Sequence, residues 1–268
     1  MAPERVLREA AAIGLGAVEL GPPGFLPEDP AATRRALDGH GLRLAAGFLA
    51  AVLHRAEWLD DSLGTVCSSA RTLAGAGADV LILAAATEAV GYDAAGEMSA
   101  DEWRTLGEAL HRARAIGDEF GLEVTLHPHF GTMVESAEQV ERLLAESDIP
   151  LCLDTGHLLL GGCDPLALVR AAPDRIRHVH LKDVDAALAE RVRSGELGYR
   201  DAVARGLYRP LGSGDAEIAA IVAELEAAGY AGWYVLEQDA VLEREPGDGE
   251  GPAAEAAASL QRILEVSV

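Results

Sequence analysis

Cationic side chains are in short supply in this chain: 22 lysines and arginines stand against 44 aspartates and glutamates, a net charge of −22. Such a balance works against polyanionic partners, so neither nucleic acid nor an anionic membrane is expected, and a neutral or polyhydroxylated small molecule suits it better as substrate. Cysteine is scarce as well. Cys67, Cys152 and Cys163 form no CxxC pair, and their odd number argues against a disulfide framework and for a reducing, cytoplasmic setting. Long apolar runs are missing too: the best, Val80–Thr87, falls far below the roughly 18–20 residues of a membrane span. The opening MAPERVLREAAAIG carries acidic residues and no apolar h-region, so no signal peptide is expected.

What is present is enough for a sizeable core, with 49% apolar residues in a 268-residue chain. Apolar periodicity predicts helices over Pro3–Ile13, Pro30–Gly39 and Trp58–Ala74. Strands are expected at Ala17–Leu20, Leu42–Leu49 and Val80–Ala85. Ser99 and Glu102 form a capping-box pattern that opens a helix with Trp103, Leu106, Leu110 and Ala113 on one face. Beyond it come a strand at Glu123–His127 and a helix at Ala137–Ala145. Ile149–Asp183 then reads as two strands joined by one helix, the signature of a parallel βαβ unit. Arg191–Arg209 is irregular, helical only from Tyr199 to Arg205. Asp215, after the turn-like Gly212-Ser213-Gly214, has the position of a helix N-cap. A last strand at Gly232–Glu237 and a helix near Pro252–Val266 close the chain. Trp58, Trp103 and Trp233 are expected to be packing residues.

This alternation has no linker-like break, so residues 1–268 read as one α/β domain. About seven strands can be counted, one short of a (β/α)8 TIM barrel, and the one lacking is the first, which leaves the barrel shortened or open there.

Strand ends carry the chemistry. Residues i and i+2 of a strand share a face, so Thr125 pairs with His127, Cys152 with Asp154, His178 with His180 and Val235 with Glu237. Four strands therefore end on His127, Asp154, His180 and Glu237, and in a parallel barrel such ends converge at one mouth. A single His or Asp at a strand end is an ordinary hydrogen-bonding group. Four together suggest a cation, because unpaired buried carboxylates are costly. Imidazole and carboxylate donors suit Mn²⁺, Co²⁺, Fe²⁺ or Zn²⁺ better than Ca²⁺ or Mg²⁺. His157, a turn beyond Asp154, and Glu19, at an earlier strand end, are candidate substrate contacts. Lys182 and Asp183 form either a local ion pair or a functional one.

DTGH (Asp154–His157), HVHLKD (His178–Asp183) and GYAGWYVLEQD (Gly229–Asp239) resemble the sugar isomerase/epimerase superfamily with xylose-isomerase-like TIM barrels. ELGPPGFLP (Glu19–Pro27), HPHFGT (His127–Thr132) and DTGHLLLGGCDP add a resemblance to inosose (2-keto-myo-inositol) dehydratases. The resemblance implies a divalent metal, Mn²⁺ or Co²⁺ foremost and Zn²⁺, Fe²⁺ or Mg²⁺ otherwise. Its ligands would be His127, Asp154, His180 and Glu237, with His127 standing where relatives have Glu. Either His127 or His129 could ligate; His129 is otherwise a substrate contact. Glu237, His127 and Lys182 are the candidate acid–base groups. The implied chemistry is proton removal beside a ketone to an enediolate, followed by loss of water from a polyol ketone. The alternatives are a ketose epimerase or hydroxypyruvate-type isomerase, or a metal- or sugar-binding relative without turnover. Apurinic endonucleases share the fold family, and the acidic charge argues against that reading. A homo-oligomer is a family-level expectation.

Overall fold

The continuous apolar run at Val80–Ala85 becomes a strand buried at all six positions, the pattern of a parallel sheet covered on both faces. The structure, a computed structural model, describes residues 1–89, 96–242 and 244–266. It divides into two compact units, Met1–Glu88 with Gly96–His127, and Ala89–Ala95 with Pro128–Val268. No helix among the described residues is long and apolar enough to cross a membrane.

In the first unit the helices are α1 (Pro3–Ala12), α2 (Pro30–Asp38), α3 (Leu59–Ala76) and α4 (Ala100–Phe120). Its strands are β1 (Ala17–Val18), β2 (Arg43–Leu44), β3 (Ala46–Ala51), β4 (Val80–Ala85) and β5 (Glu123–Leu126). β3, β4 and β5 run parallel in that order, and β1 pairs in parallel with β2. The predicted strand over Leu42–Leu49 is thus two strands, broken at Ala45, whose N–H donates to Val18 O at 2.9 Å. The capping box forms as expected: Ser99 Oγ accepts from Glu102 N–H, and Glu102 accepts from Ser99 N–H. Trp103, Leu106, Leu110 and Ala113 are all buried along α4. Trp58 is half exposed, so it is not the packing residue its apolar ring suggested.

The second unit holds α5 (Ala137–Glu146), β6 (Leu151–Asp154), α6 (Thr155–Leu160), α7 (Pro165–Ala171) and β7 (Ile176–Leu181). Next come β8 (Asp183–Val184), α8 (Ala186–Arg193), α9 (Tyr199–Ala204), β9 (Tyr208–Arg209), α10 (Ile218–Ala227), β10 (Tyr234–Leu236) and α11 (Pro252–Val266). β6, β7 and β10 are parallel neighbours in that order, with Asp154 level with His180, and His180 level with Val235. β8 and β9 form a separate antiparallel pair.

Three sequence expectations need correcting here. The single helix after Asp154 is two, α6 and α7, because Gly161–Asp164 breaks it and Asp164 caps a fresh start by accepting from Leu166 and Ala167 N–H. The stretch Arg191–Arg209 carries α9 where a helix was expected, but α8, just ahead of it, was not foreseen; apolar residues of both join Leu160, Val184, Leu197, Leu207 and Tyr208 in a small core of their own. Asp215 does not cap α10. That helix begins at Ile218 after Glu217, which has a left-handed backbone (φ 49°), while Asp215 accepts from Ala186 N–H at the start of α8.

The α6–α7 break also requires a residue without a side chain. At Gly161 a Cβ would collide with the backbone carbonyl of Glu135, an atom that cannot swing away. Gly161→Ala is expected to cost about 3 kcal/mol, a drop in Tm of roughly 6–10 °C by calorimetry. The control is Gly198→Ala, where a Cβ meets nothing within 4 Å; its Tm should stay close to the parent's.

Candidate active site

Each residue of the DTGH motif has a separate structural task. Asp154 is fully buried at the end of β6, and its Oδ1 accepts from Gly156 and His157 N–H at 2.9 and 2.8 Å, capping α6. That anchoring turns Oδ2 toward the end of β7, 3.6 Å from His180 Nδ1 and 3.5 Å from Lys182 Nζ. Thr155 Oγ1 donates to Lys182 O at 2.7 Å and accepts from Lys182 N–H at 2.8 Å, which clamps the neighbouring strand end. At Gly156 a Cβ would lie 2.8 Å from Lys182 Cγ, so glycine leaves the space in which the lysine stem lies. His157 Nε2 receives that stem's end, 3.3 Å from Nζ.

Strand β7 supplies His180, and the residue following β10 supplies Glu237, held by a 3.1 Å bond from its N–H to Leu181 O. His180 Nδ1 and Glu237 Oε2 meet at 2.7 Å. Asp154, His180 and Glu237 each present one ligand-type atom, and all three atoms lie within 4.8 Å of one another. Donors about 2.0–2.3 Å from one centre lie no farther apart than about 4.6 Å, so this cluster needs little closing to hold one ion. One imidazole and two carboxylates form a donor set suited to Mn²⁺, Co²⁺, Fe²⁺ or Zn²⁺.

Lys182 is 1% exposed, and its ammonium is the positive centre of this cluster. It lies 3.0 Å from Glu237 Oε1 and 3.2 Å from Asp239 Oδ2, with the Tyr208 ring 5.1 Å away. Burial pulls its charge down, but Asp154, Glu237 and Asp239 more than offset that and hold it well above the usual amine range. For Glu237 burial also opposes charge, and Lys182 and His180 reverse the balance, so the carboxyl is held well below its usual range. Lys182 is therefore an ammonium, not the free base the sequence allowed. Nor does it pair with Asp183. That carboxylate instead accepts from Val184, Gly212, Gly214 and Ala216 N–H at 2.8–3.0 Å, which fixes the loop before α10. Gly212-Ser213-Gly214 is thus a turn, as its composition suggested.

Around this core stand rings. His129 and His157 stack with centroids 3.7 Å apart, and Phe130 N–H points to His157 Nδ1 at 3.4 Å. Tyr199 stacks on Phe130 at 5.6 Å, and its hydroxyl meets that of Tyr208 at 3.0 Å and Asp239 Oδ2 at 3.4 Å. A cavity of about 180 Å³ opens beside Glu237, lined in part by Arg209, Gln238, Glu255 and Ser259.

The structure brings together five of the residues expected from sequence: Asp154, His157, His180, Lys182 and Glu237, with His129 stacked on His157. His127 and Glu19 belong to the first unit. His127 follows β5, buried, its N–H bonded to Leu83 O at 2.7 Å and its ring 6.0 Å from Phe48. Glu19 follows β1 and is half-buried. Sequence reasoning missed Asp239, Tyr199 and Tyr208. Asp239 stands two residues beyond Glu237, the spacing already used to pair the strand ends. The tyrosines gave no such signal: Tyr199 opens the short helix expected there and Tyr208 lies in the stretch read as irregular, and neither stands at an expected strand end.

Residues 7–263 match the model of the xylose isomerase-like TIM barrel family. The chain is 34% identical over 247 residues to an inosose dehydratase of Geobacillus kaustophilus (strain HTA426), covering 88% of this chain and 80% of that protein. It is 32% identical to the rhizopine catabolism protein MocC of Rhizobium meliloti, over 88% of this chain and 74% of that one. Among solved structures, the probable 3-DHS dehydratase AsbF of Bacillus anthracis superposes with a TM-score of 0.71 at 15% identity, over 97% and 92% of the two chains. An L-ribulose 3-epimerase superposes with the same TM-score, 0.71, at 18% identity, over 98% and 88%. Family model and relatives together place the fold in the α/β TIM-barrel class, and the chain belongs to the xylose isomerase-like TIM barrel family, as an enzyme of the inosose dehydratase and sugar isomerase/epimerase type.

Proposed function

We propose that this protein is a divalent-metal-dependent lyase that removes water from a cyclic polyol ketone of the 2-keto-myo-inositol class. The observation that carries the reading is the meeting of Asp154 Oδ2, His180 Nδ1 and Glu237 Oε2 beside a buried lysine ammonium. The inosose dehydratase relatives at 34% and 29% identity support the substrate class. A bound divalent cation would polarise the ketone and stabilise the negative charge that develops on its oxygen as an α-proton leaves. His127 is proposed, from the sequence resemblance alone, as a further contributor to metal binding.

The chain's own residues then divide the proton work. Glu237 takes the α-proton. Lys182 gives a proton to the departing β-hydroxyl, which leaves as water. Their 3.0 Å contact returns the proton from Glu237 to Lys182, so the cycle closes without a net proton change. His157, 3.3 Å from Lys182 Nζ and stacked on His129, orients the ammonium. Tyr199 and Phe130 present a ring face suited to the C–H surface of a cyclic polyol.

Enzyme loaded with Mn²⁺ or Co²⁺ is expected to dehydrate 2-keto-myo-inositol, followed by NMR, and to stop when chelator strips the metal. Absence of turnover on that ketone and on a panel of ketoses would contradict the proposal.

A further inference from the structure

We infer that Asp239 is a positioning residue that draws the Lys182 ammonium aside so that a divalent cation can occupy the ligand cluster. This inference rests on the metal reading given above. The difficulty it resolves is one of competition. An ammonium 3.0 Å from Glu237 and 3.5 Å from Asp154 is a resident cation, and it neutralises the carboxylates a metal would use. A lysine with only those two partners would settle between them.

Asp239 alters that balance in two ways. It is a third carboxylate, 3.2 Å from Nζ, so the ammonium is shared and stands within reach of Asp239, His157 and the Tyr208 ring as well as Glu237. It also sets the charge: Asp154, Glu237 and Asp239 against one ammonium leave two negative charges, which a divalent cation matches. Without Asp239 only one would remain. Asp239 is itself fixed, since the Tyr199 hydroxyl points to its Oδ2 at 3.4 Å and is braced by the Tyr208 hydroxyl at 3.0 Å. Both tyrosines are buried in the small core formed around α8 and α9, so that segment anchors the positioning group. At 43% side-chain exposure, Asp239 can be replaced without opening the core.

The test is Mn²⁺ binding to the apo-protein, by titration calorimetry, alongside Tm without metal. Asp239→Asn is expected to weaken Mn²⁺ binding about tenfold, while Tm without metal holds or rises because a repelling carboxylate is gone. Asp239→Glu should restore most of the affinity, and Tyr199→Phe should lose about two- to threefold. A merely structural role gives the opposite pattern, a lower Tm with unchanged Mn²⁺ affinity, and that result overturns the inference. So does an Asp239→Asn variant that binds Mn²⁺ like the parent. A parent that binds no Mn²⁺ overturns the metal reading, and this inference falls with it; a parent that binds while the variants match it overturns this inference alone.

Discussion

Asp154→Asn is expected to fold and yet to lose turnover by roughly 10³-fold, the scale seen when one preorganised group is removed from where charge develops. Asparagine ranks with aspartate as an N-cap, so the bonds from Gly156 and His157 N–H to Oδ1 survive. What goes is the charge on the oxygen facing His180 and Lys182. Metal affinity should fall by about 100-fold or more, since altering groups that merely support a ligand already costs 10–100-fold. Asp154→Ala should add a loss of about 1 kcal/mol from the missing cap. Comparing the two variants by Mn²⁺ titration, kinetics and thermal unfolding separates the ligand role from the helix-capping role. An Asn variant that keeps both its affinity and its rate would remove Asp154 from the mechanism.

Lys182→Met carries the second large effect, and its size depends on metal. The ammonium is 1% exposed among three carboxylates, so its removal leaves buried negative charge uncompensated. Breaking one side of a buried ion pair costs about 3–5 kcal/mol, and methionine fills the volume of the stem without restoring the charge. In chelator the variant should be destabilised by that amount. Saturating Mn²⁺ should recover about 3 kcal/mol, the linkage expected near a hundredfold excess over Kd. Activity should stay down by 10²–10⁴-fold even with metal, because the proton donor is gone. Denaturant unfolding with and without Mn²⁺ checks the first two statements, and kinetics the third. Equal stability of parent and variant in chelator would show that Lys182 is not the charge centre described here.

How much of this was legible in the sequence follows from what each feature depends on. Periodic apolar runs and caps are local, which is why β4, α4 and α11 appear where patterning places them, and why Ser99 and Glu102 close as a capping box. The strand-end residues Asp154, His180 and Glu237 were legible for a related reason: alternation fixes which face they share, and parallel pairing brings the ends level. Lys182 was visible but misjudged. Its sequence neighbour Asp183 looked like its partner, whereas the partners are 28, 55 and 57 positions away, at Asp154, Glu237 and Asp239. Asp215 failed likewise, since the backbone N–H it satisfies belongs to α8, 29 positions earlier. Tyr199 and Tyr208 were missed as site residues, although the helix opening at Tyr199 was expected, because α8, α9 and β9 are short elements stabilised by one another and no long periodic run shows which way their rings face.

The most direct test of the central claim, that Asp154, His180 and Glu237 together hold a metal ion, is anomalous diffraction from crystals grown with Mn²⁺. The account predicts a single strong Mn peak about 2.0–2.3 Å from Asp154 Oδ2, His180 Nδ1 and Glu237 Oε2. A peak bonded elsewhere, or no peak with Lys182 still bridging Asp154 and Glu237, would contradict it.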